Sequence, residues 1–163
     1  MLEPEVHLDV ALHVEQVPDD TPRYTAAAKW VAVHLSLASL TASVSIVDDP
    51  TIHALNRDEL GHDWPTDVIS FLFERVERED GAHVDGELVA SADTARRLSE
   101  LAGWEPQDEL LLYVIHGLLH VAGLDDIEPA DQVLMRQAEQ DCLIALQVPG
   151  GSEHMARWDR VAY

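Results

Sequence analysis

Cysteine and lysine are almost absent from this 163-residue chain, which has one of each, Cys142 and Lys29. A single cysteine excludes an internal disulfide framework and any CxxC metal or redox motif, so no disulfide partner is expected. Cys142 falls in an apolar helical stretch, where a buried and inert thiol is the natural reading. With nine Arg beside the one Lys, ten cations face 31 acidic residues and the formal net charge is −21. That balance excludes functions built on a broadly basic surface, because non-specific nucleic-acid binding and attraction to anionic membranes both use many phosphate-facing cations. Long apolar runs are missing too. None approaches the ~18 residues of a membrane span, and the N-terminus MLEPEVHLDV has neither the basic nor the apolar region of a signal peptide. A cytoplasmic protein is expected.

What is present suits one folded domain: 47% of the residues are hydrophobic, and the length is close to that of an average domain. The expected division is a single domain over 1–150 and a C-terminal tail over 151–163, from which Trp158 and Tyr163 can dock. Alternating apolar residues predict a strand over Glu5–Val14 and another over Thr41–Val47, separated by a helix from Pro22 to Ala38. A short helix is predicted over Thr51–Leu60. Asp67–Phe73 (DVISFLF) is apolar on both faces, as a central strand is, and Gly86–Ser91 follows a charged, hairpin-like stretch. Three helices come next: one capped by Ser91 and stopped by Gly103, one from Pro106 to Gly123, and one from Pro129 to about Gln147. Strands mostly first and helices last give an α+β fold.

The chemistry is concentrated in His116-Gly117-Leu118-Leu119-His120-Val121-Ala122-Gly123-Leu124-Asp125-Asp126. Two histidines four apart on a helix share one face, with ~5–6 Å between Cβ atoms, and can converge on one metal ion. Gly123 can adopt positive φ and turn the chain so that Asp125 or Asp126 reaches the same ion. Two imidazoles and a carboxylate leave a fourth tetrahedral position open, as in catalytic rather than structural zinc sites. In HExxH peptidases a Glu follows the first His as general base; Gly117 stands there, which disfavours a metallopeptidase.

HGLLHVAGLDD resembles the HGxLHxxGxDH signature of the YbeY family of bacterial rRNA-maturation endoribonucleases. Leu55-Asn56 with Pro65-Thr66-Asp67-Val68-Ile69-Ser70-Phe71 is similar to that family's LN…PTDVLSF block, and Gly86–Ser91 to its GDIVIS strand. The resemblance spans about residues 5–147. It implies a four-stranded mixed sheet covered by about five helices, with the metal at the end of a central helix. It also implies single-strand-specific RNA hydrolysis in 16S rRNA 3′-end maturation and ribosome quality control, with rRNA and small-subunit ribosomal proteins as partners. Carried over by position, His116, His120 and Asp126 are the metal ligands, and the metal is zinc. A set of two His and one carboxylate suits Fe(II) as well.

Two positions depart from the family pattern: Asp126 replaces its third His, and Leu60 stands where it has an Arg. Arg57, one turn earlier, and His62, in the next loop, are the candidates to replace that cation. Asp67 is the candidate general base, and Thr66 and Ser70 are candidates to orient phosphate oxygens. The net charge then requires a local cationic groove drawn from Arg23, Arg57, Arg75, Arg78, Arg96 and Arg97. A non-catalytic, metal-stabilised ribosome-assembly factor is the alternative reading, with a metallopeptidase third.

Overall fold

The fold is described from a computed structural model, over residues 2–158. Four strands form one mixed sheet: β1 (Glu5–Leu12), β2 (Leu37–Val47), β3 (Val68–Arg78) and β4 (Gly81–Ser91). Their spatial order is β1-β2-β4-β3, with β1, β2 and β4 parallel and β3 antiparallel to β4. The helices are α1 (Thr21–His34), α2 (Asp49–Leu60), α3 (Ala92–Ala102), α4 (Pro106–Val121), α5 (Pro129–Ala145) and the short α6 (His154–Trp158). The α+β class and the four-stranded mixed sheet are those the sequence predicts.

The main core lies on one face of the sheet. Leu40, Ala42, Val44 and Ile46 of β2 and Val84, Leu88 and Ala90 of β4 pack there against α1, α4 and α5. Residues of opposite parity, Val89 and Ile69, meet Ile52 of α2 and Val47 in a smaller cluster on the other face. Helix α4 is the centre of the molecule, with Leu111, Val114, Ile115, Leu118 and Leu119 all fully buried. It lies close to the sheet because of Gly117, where an added Cβ would come within 3.2 Å of Leu88 and 3.3 Å of Val68. None of the helices among the described residues is long and apolar enough to cross a membrane.

Three expectations need correction. DVISFLF is an edge strand, not a central one, and Leu72 and Phe73 are exposed. It is apolar on both faces near Ile69 because helices cover both sides of the sheet there, while its pairing is one-sided and shifts register between Leu72 and Glu74. Helix α1 stops at His34 instead of Ala38, since Ser36 has φ 55° and starts the turn into a longer β2. Finally, residues 151–158 of the expected tail form a 3₁₀ turn and α6, with His154 and Arg157 buried. Tyr163 lies outside the described residues. Cys142 is buried and free, and burial pushes its thiol up to about 12.

Candidate metal centre

Helix α4 carries His116 and His120 one turn apart on the same face, their rings edge-to-face with centroids 4.5 Å apart. The helix ends at Val121, and Gly123, at φ 118°, reverses the chain. Arg75 of β3 secures this turn by donating from Nη1 to the Ala122 carbonyl at 3.2 Å. The reversal brings Asp126 back over the histidines. Its Oδ2 lies 3.5 Å from His116 Nε2 and 3.4 Å from His120 Nε2. Asp125 turns elsewhere and accepts from the Asp126 N–H at 2.7 Å, so the geometry selects Asp126 of the two.

These residues fit a metal ion. Ligand atoms held ~2.0–2.1 Å from a tetrahedral ion stand ~3.4 Å from one another, which is the spacing of Asp126 Oδ2 to each imidazole. Ligand atoms of all three residues lie within 4.8 Å of one another. The chemistry of the donors agrees as well. His120 Nδ1–H donates to the Leu124 carbonyl at 2.9 Å, which leaves the Nε2 lone pair for the ion. His116 Nδ1 faces Glu139 Oε2 at 3.6 Å, the carboxylate-behind-histidine arrangement that orients a ligand ring and raises its basicity.

Glu139 is fully buried on α5, on the stripe that also buries Met135, Ala138 and Cys142. Arg136, one turn earlier, holds it through Nη1 at 2.5 and 2.9 Å, and its Nη2 lies 3.5 Å from Asp126 Oδ2. The C-terminal helix completes this wall. Trp158 lies under the Arg136 guanidinium at 3.4 Å, and His154 Nε2 is 3.5 Å from Glu139. Burial alone would raise the Glu139 pKa; His116, His154 and Arg136 outweigh it and hold the carboxyl well below the usual carboxylate range. Burial likewise opposes charge on His116, but Glu139 and then Asp67 overcome it and the pKa rises. For His120, burial and the neighbouring His116 lower the pKa.

Two cavities open beside this centre. One, of about 200 Å³, is lined by Asp67, His116, Asp126, Arg136, Glu139 and Trp158 among others. The other, of about 260 Å³, is lined by His116, His120, Thr66, Ser70, Leu60, His62 and Trp64 among others. Asp67 thus shares the first cavity with His116, and Thr66, Ser70 and His62 share the second with both histidines. Asp67 Oδ1 accepts from the Val68 N–H at 2.7 Å and from the Thr66 hydroxyl at 3.3 Å.

Arg57 lines neither cavity; it is exposed and paired with Asp58. The expected cationic groove is absent among the described residues lining these cavities. Arg23, Arg75, Arg96 and Arg97 are engaged by Asp20, Glu77, Asp93 and Asp49, and Arg78 lies at the hairpin turn. The one arginine at the centre, Arg136, is committed to Glu139. Trp158 docks as the sequence suggested, but sequence reasoning missed Arg136, Glu139 and His154 of the rear wall. Its one signal was a pair of opposite charges, three apart, on the apolar stripe of α5.

Comparison with known proteins agrees with this architecture. The family model for Endoribonuclease YbeY matches residues 13–147. Proteins named Endoribonuclease YbeY are 47% identical over 67% of the chain in Rhodopirellula baltica and 42% identical over 67% in Desulfitobacterium hafniense. A third, from Porphyromonas gingivalis, is 34% identical over 80%. The matches span 56%, 74% and 85% of those proteins' own lengths. A solution structure from Thermotoga maritima superimposes with a TM-score of 0.58 at 17% identity, over 90% of this chain and 95% of that one, and shares the fold. A family match that takes in strands β2 to β4, the paired histidines of α4, Asp126 and the Arg136–Glu139 pair behind them places this chain in the endoribonuclease YbeY family.

Proposed function

We propose that this chain is a metal-dependent endoribonuclease that hydrolyses single-stranded RNA, acting in 16S rRNA 3′-end maturation and ribosome quality control. Its partners would be rRNA and small-subunit ribosomal proteins in the cytoplasm. The observation that carries this reading is the convergence of His116, His120 and Asp126 on one point beside an open groove, without a fourth His, Cys, Asp or Glu in the group among the described residues. The names of the relatives support the reaction class.

Zinc is the ion we assign here, because the spacing of the donors is that of a tetrahedral site. A bound divalent ion supplies Lewis acidity, which lowers the pKa of water toward ~7 and polarises a phosphoryl oxygen. The chain supplies orientation and proton handling. Leu124 and Glu139 fix the two imidazole rings from behind. Asp67, with one oxygen held by Val68 and Thr66, keeps its other oxygen to take a proton from the attacking water. Ser70 lines the groove and is the hydroxyl left to orient a phosphate oxygen, while the Thr66 hydroxyl is directed at Asp67.

Metal analysis of the purified protein, with RNA cleavage measured with and without chelator, tests the proposal. His116→Ala should lose metal and cleavage together, and cleavage that persists in metal-free protein would overturn it. The absence of Lys and Arg among the described residues lining the His120 groove favours, as a second reading, a non-catalytic assembly factor. Equal cleavage of single-stranded rRNA fragments by wild type and Asp126→Ala would support that reading. A peptidase is a poor fit, because the position after His116 faces Leu88 and Val68 across van der Waals contact and cannot hold a Glu.

A further inference from the structure

The loop after α2 is built to present two rings. Gly61 ends the helix in a left-handed turn. The buried Asn56 then pins the loop at two points: its backbone carbonyl accepts from the His62 N–H at 3.1 Å, and its Nδ2 donates to the Trp64 carbonyl at 2.9 Å. Between them, Asp63 is engaged by His53 Nε2 at 2.8 Å. Held this way, the His62 and Trp64 rings stack with centroids 4.8 Å apart and planes within 7°.

Such a stack is costly to leave in water. Trp64 is 55% exposed, and burying so large a ring is ordinarily among the strongest gains of folding. Both rings line the cavity that reaches His116 and His120, and among the described residues no Lys or Arg lines it. With no Lys or Arg among its described lining residues, on a chain of net charge −21, the groove has little protein charge with which to hold RNA phosphates away from the metal position. It can hold RNA by stacking, which depends on the base's π-face and is indifferent to net charge. A cavity of about 260 Å³ accommodates one unstacked base rather than a duplex.

We infer that the His62–Trp64 stack is a docking platform for one unpaired nucleobase of the RNA strand, next to the bond that the metal centre attacks. The inference rests on the ribonuclease reading for its substrate. It adds the origin of single-strand preference, since a paired base must first give up its pairing and stacking, at a cost in free energy, before it can stack on Trp64.

Binding of a fluorescein-labelled eight-nucleotide oligouridylate, followed by anisotropy in EDTA, separates the platform from the chemistry. Wild type should bind about tenfold more tightly than Trp64→Ala, and Trp64→Phe should restore most of the difference. A strand of the same length with abasic positions should bind wild type and Trp64→Ala alike. The slope of log K against log salt should stay shallower than about −1, the value near which one or two phosphate contacts would bring it. In the presence of metal, Trp64→Ala should raise KM for cleavage and leave kcat nearly unchanged.

Equal binding by wild type and Trp64→Ala, or full binding of the abasic strand, overturns the platform. A wild type that fails to bind the oligouridylate overturns it as well, and points to a peptide as the groove's occupant. Cleavage with an unchanged KM in Trp64→Ala sinks the platform and leaves the nuclease standing. Base-dependent binding without any cleavage sinks the nuclease and leaves the platform.

Discussion

Glu139 shows how much of a candidate metal site can lie behind the residues that would hold the ion. Its carboxylate touches His116, His154 and Arg136, all inside the protein. Glu139→Gln keeps the shape and removes the charge that orients the His116 ring. Metal affinity, measured by competition with a chelating dye, should fall by ~10–100-fold while the fold is retained. Wild-type affinity in this variant would show that Glu139 only fills space. The grouping of His116 and His120 with a following carboxylate was legible in the sequence, because a helix repeats every 3.6 residues and a glycine marks its end. Glu139 was not, since it comes after Asp126 by a loop and three turns of α5, and only tertiary packing brings the two together. The choice between Asp125 and Asp126 was open for a related reason: neighbouring residues differ in direction, and direction is set by the backbone of the turn.

Helix α4 can approach the sheet only where side chains are missing. At Gly117 a methyl group would press on Leu88 and Val68 at 3.2–3.3 Å, so Gly117→Ala must push the helix outward or displace two packed side chains. Overpacking of this kind costs ~1–3 kcal/mol, which should appear as a lower urea midpoint with an unchanged m-value. Helix α2 is attached differently, by polar contacts at its N-terminus. Asp49 accepts from Ser91 Oγ at 2.6 Å and Thr94 Oγ1 at 2.7 Å and is paired with Arg97. Partial burial opposes the charge, yet these three partners outweigh it and lower the Asp49 pKa. A carboxylate with a depressed folded-state pKa contributes stability that is complete above its unfolded pKa of ~3.9 and is lost as pH falls through the folded value. Asp49→Ala should therefore cost ~1–2 kcal/mol near neutral pH, a figure reduced for the exposed Arg97. The difference from wild type should shrink below about pH 4; a gap constant down to the acid transition would contradict the assignment. Elements such as α2 and α4 were readable from capping residues and periodicity. The edge position of β3 was not, because two covering helix layers make an edge strand look central in sequence.

Across the whole molecule, the scarcity of cations is organised rather than diffuse. Arg23, Arg57, Arg75, Arg96, Arg97 and Arg136 all pair with carboxylates. With ten cations against 31 acids, these pairs leave most carboxylates repelling one another. Added salt therefore has two opposed effects. It weakens surface ion pairs, each worth ~0–1 kcal/mol, and it screens the repulsion of a net charge of −21. The pairs between exposed partners, such as Arg57 with Asp58 and Arg75 with Glu77, are worth little, whereas Arg136 with Glu139 is buried and barely screened. The repulsive contribution is the larger. Raising NaCl from about 10 mM, where the Debye length is ~30 Å, to about 150 mM, where it is ~8 Å, should thus increase the thermal midpoint by several degrees. A midpoint that falls with salt would mean that the exposed ion pairs, not the net charge, govern stability.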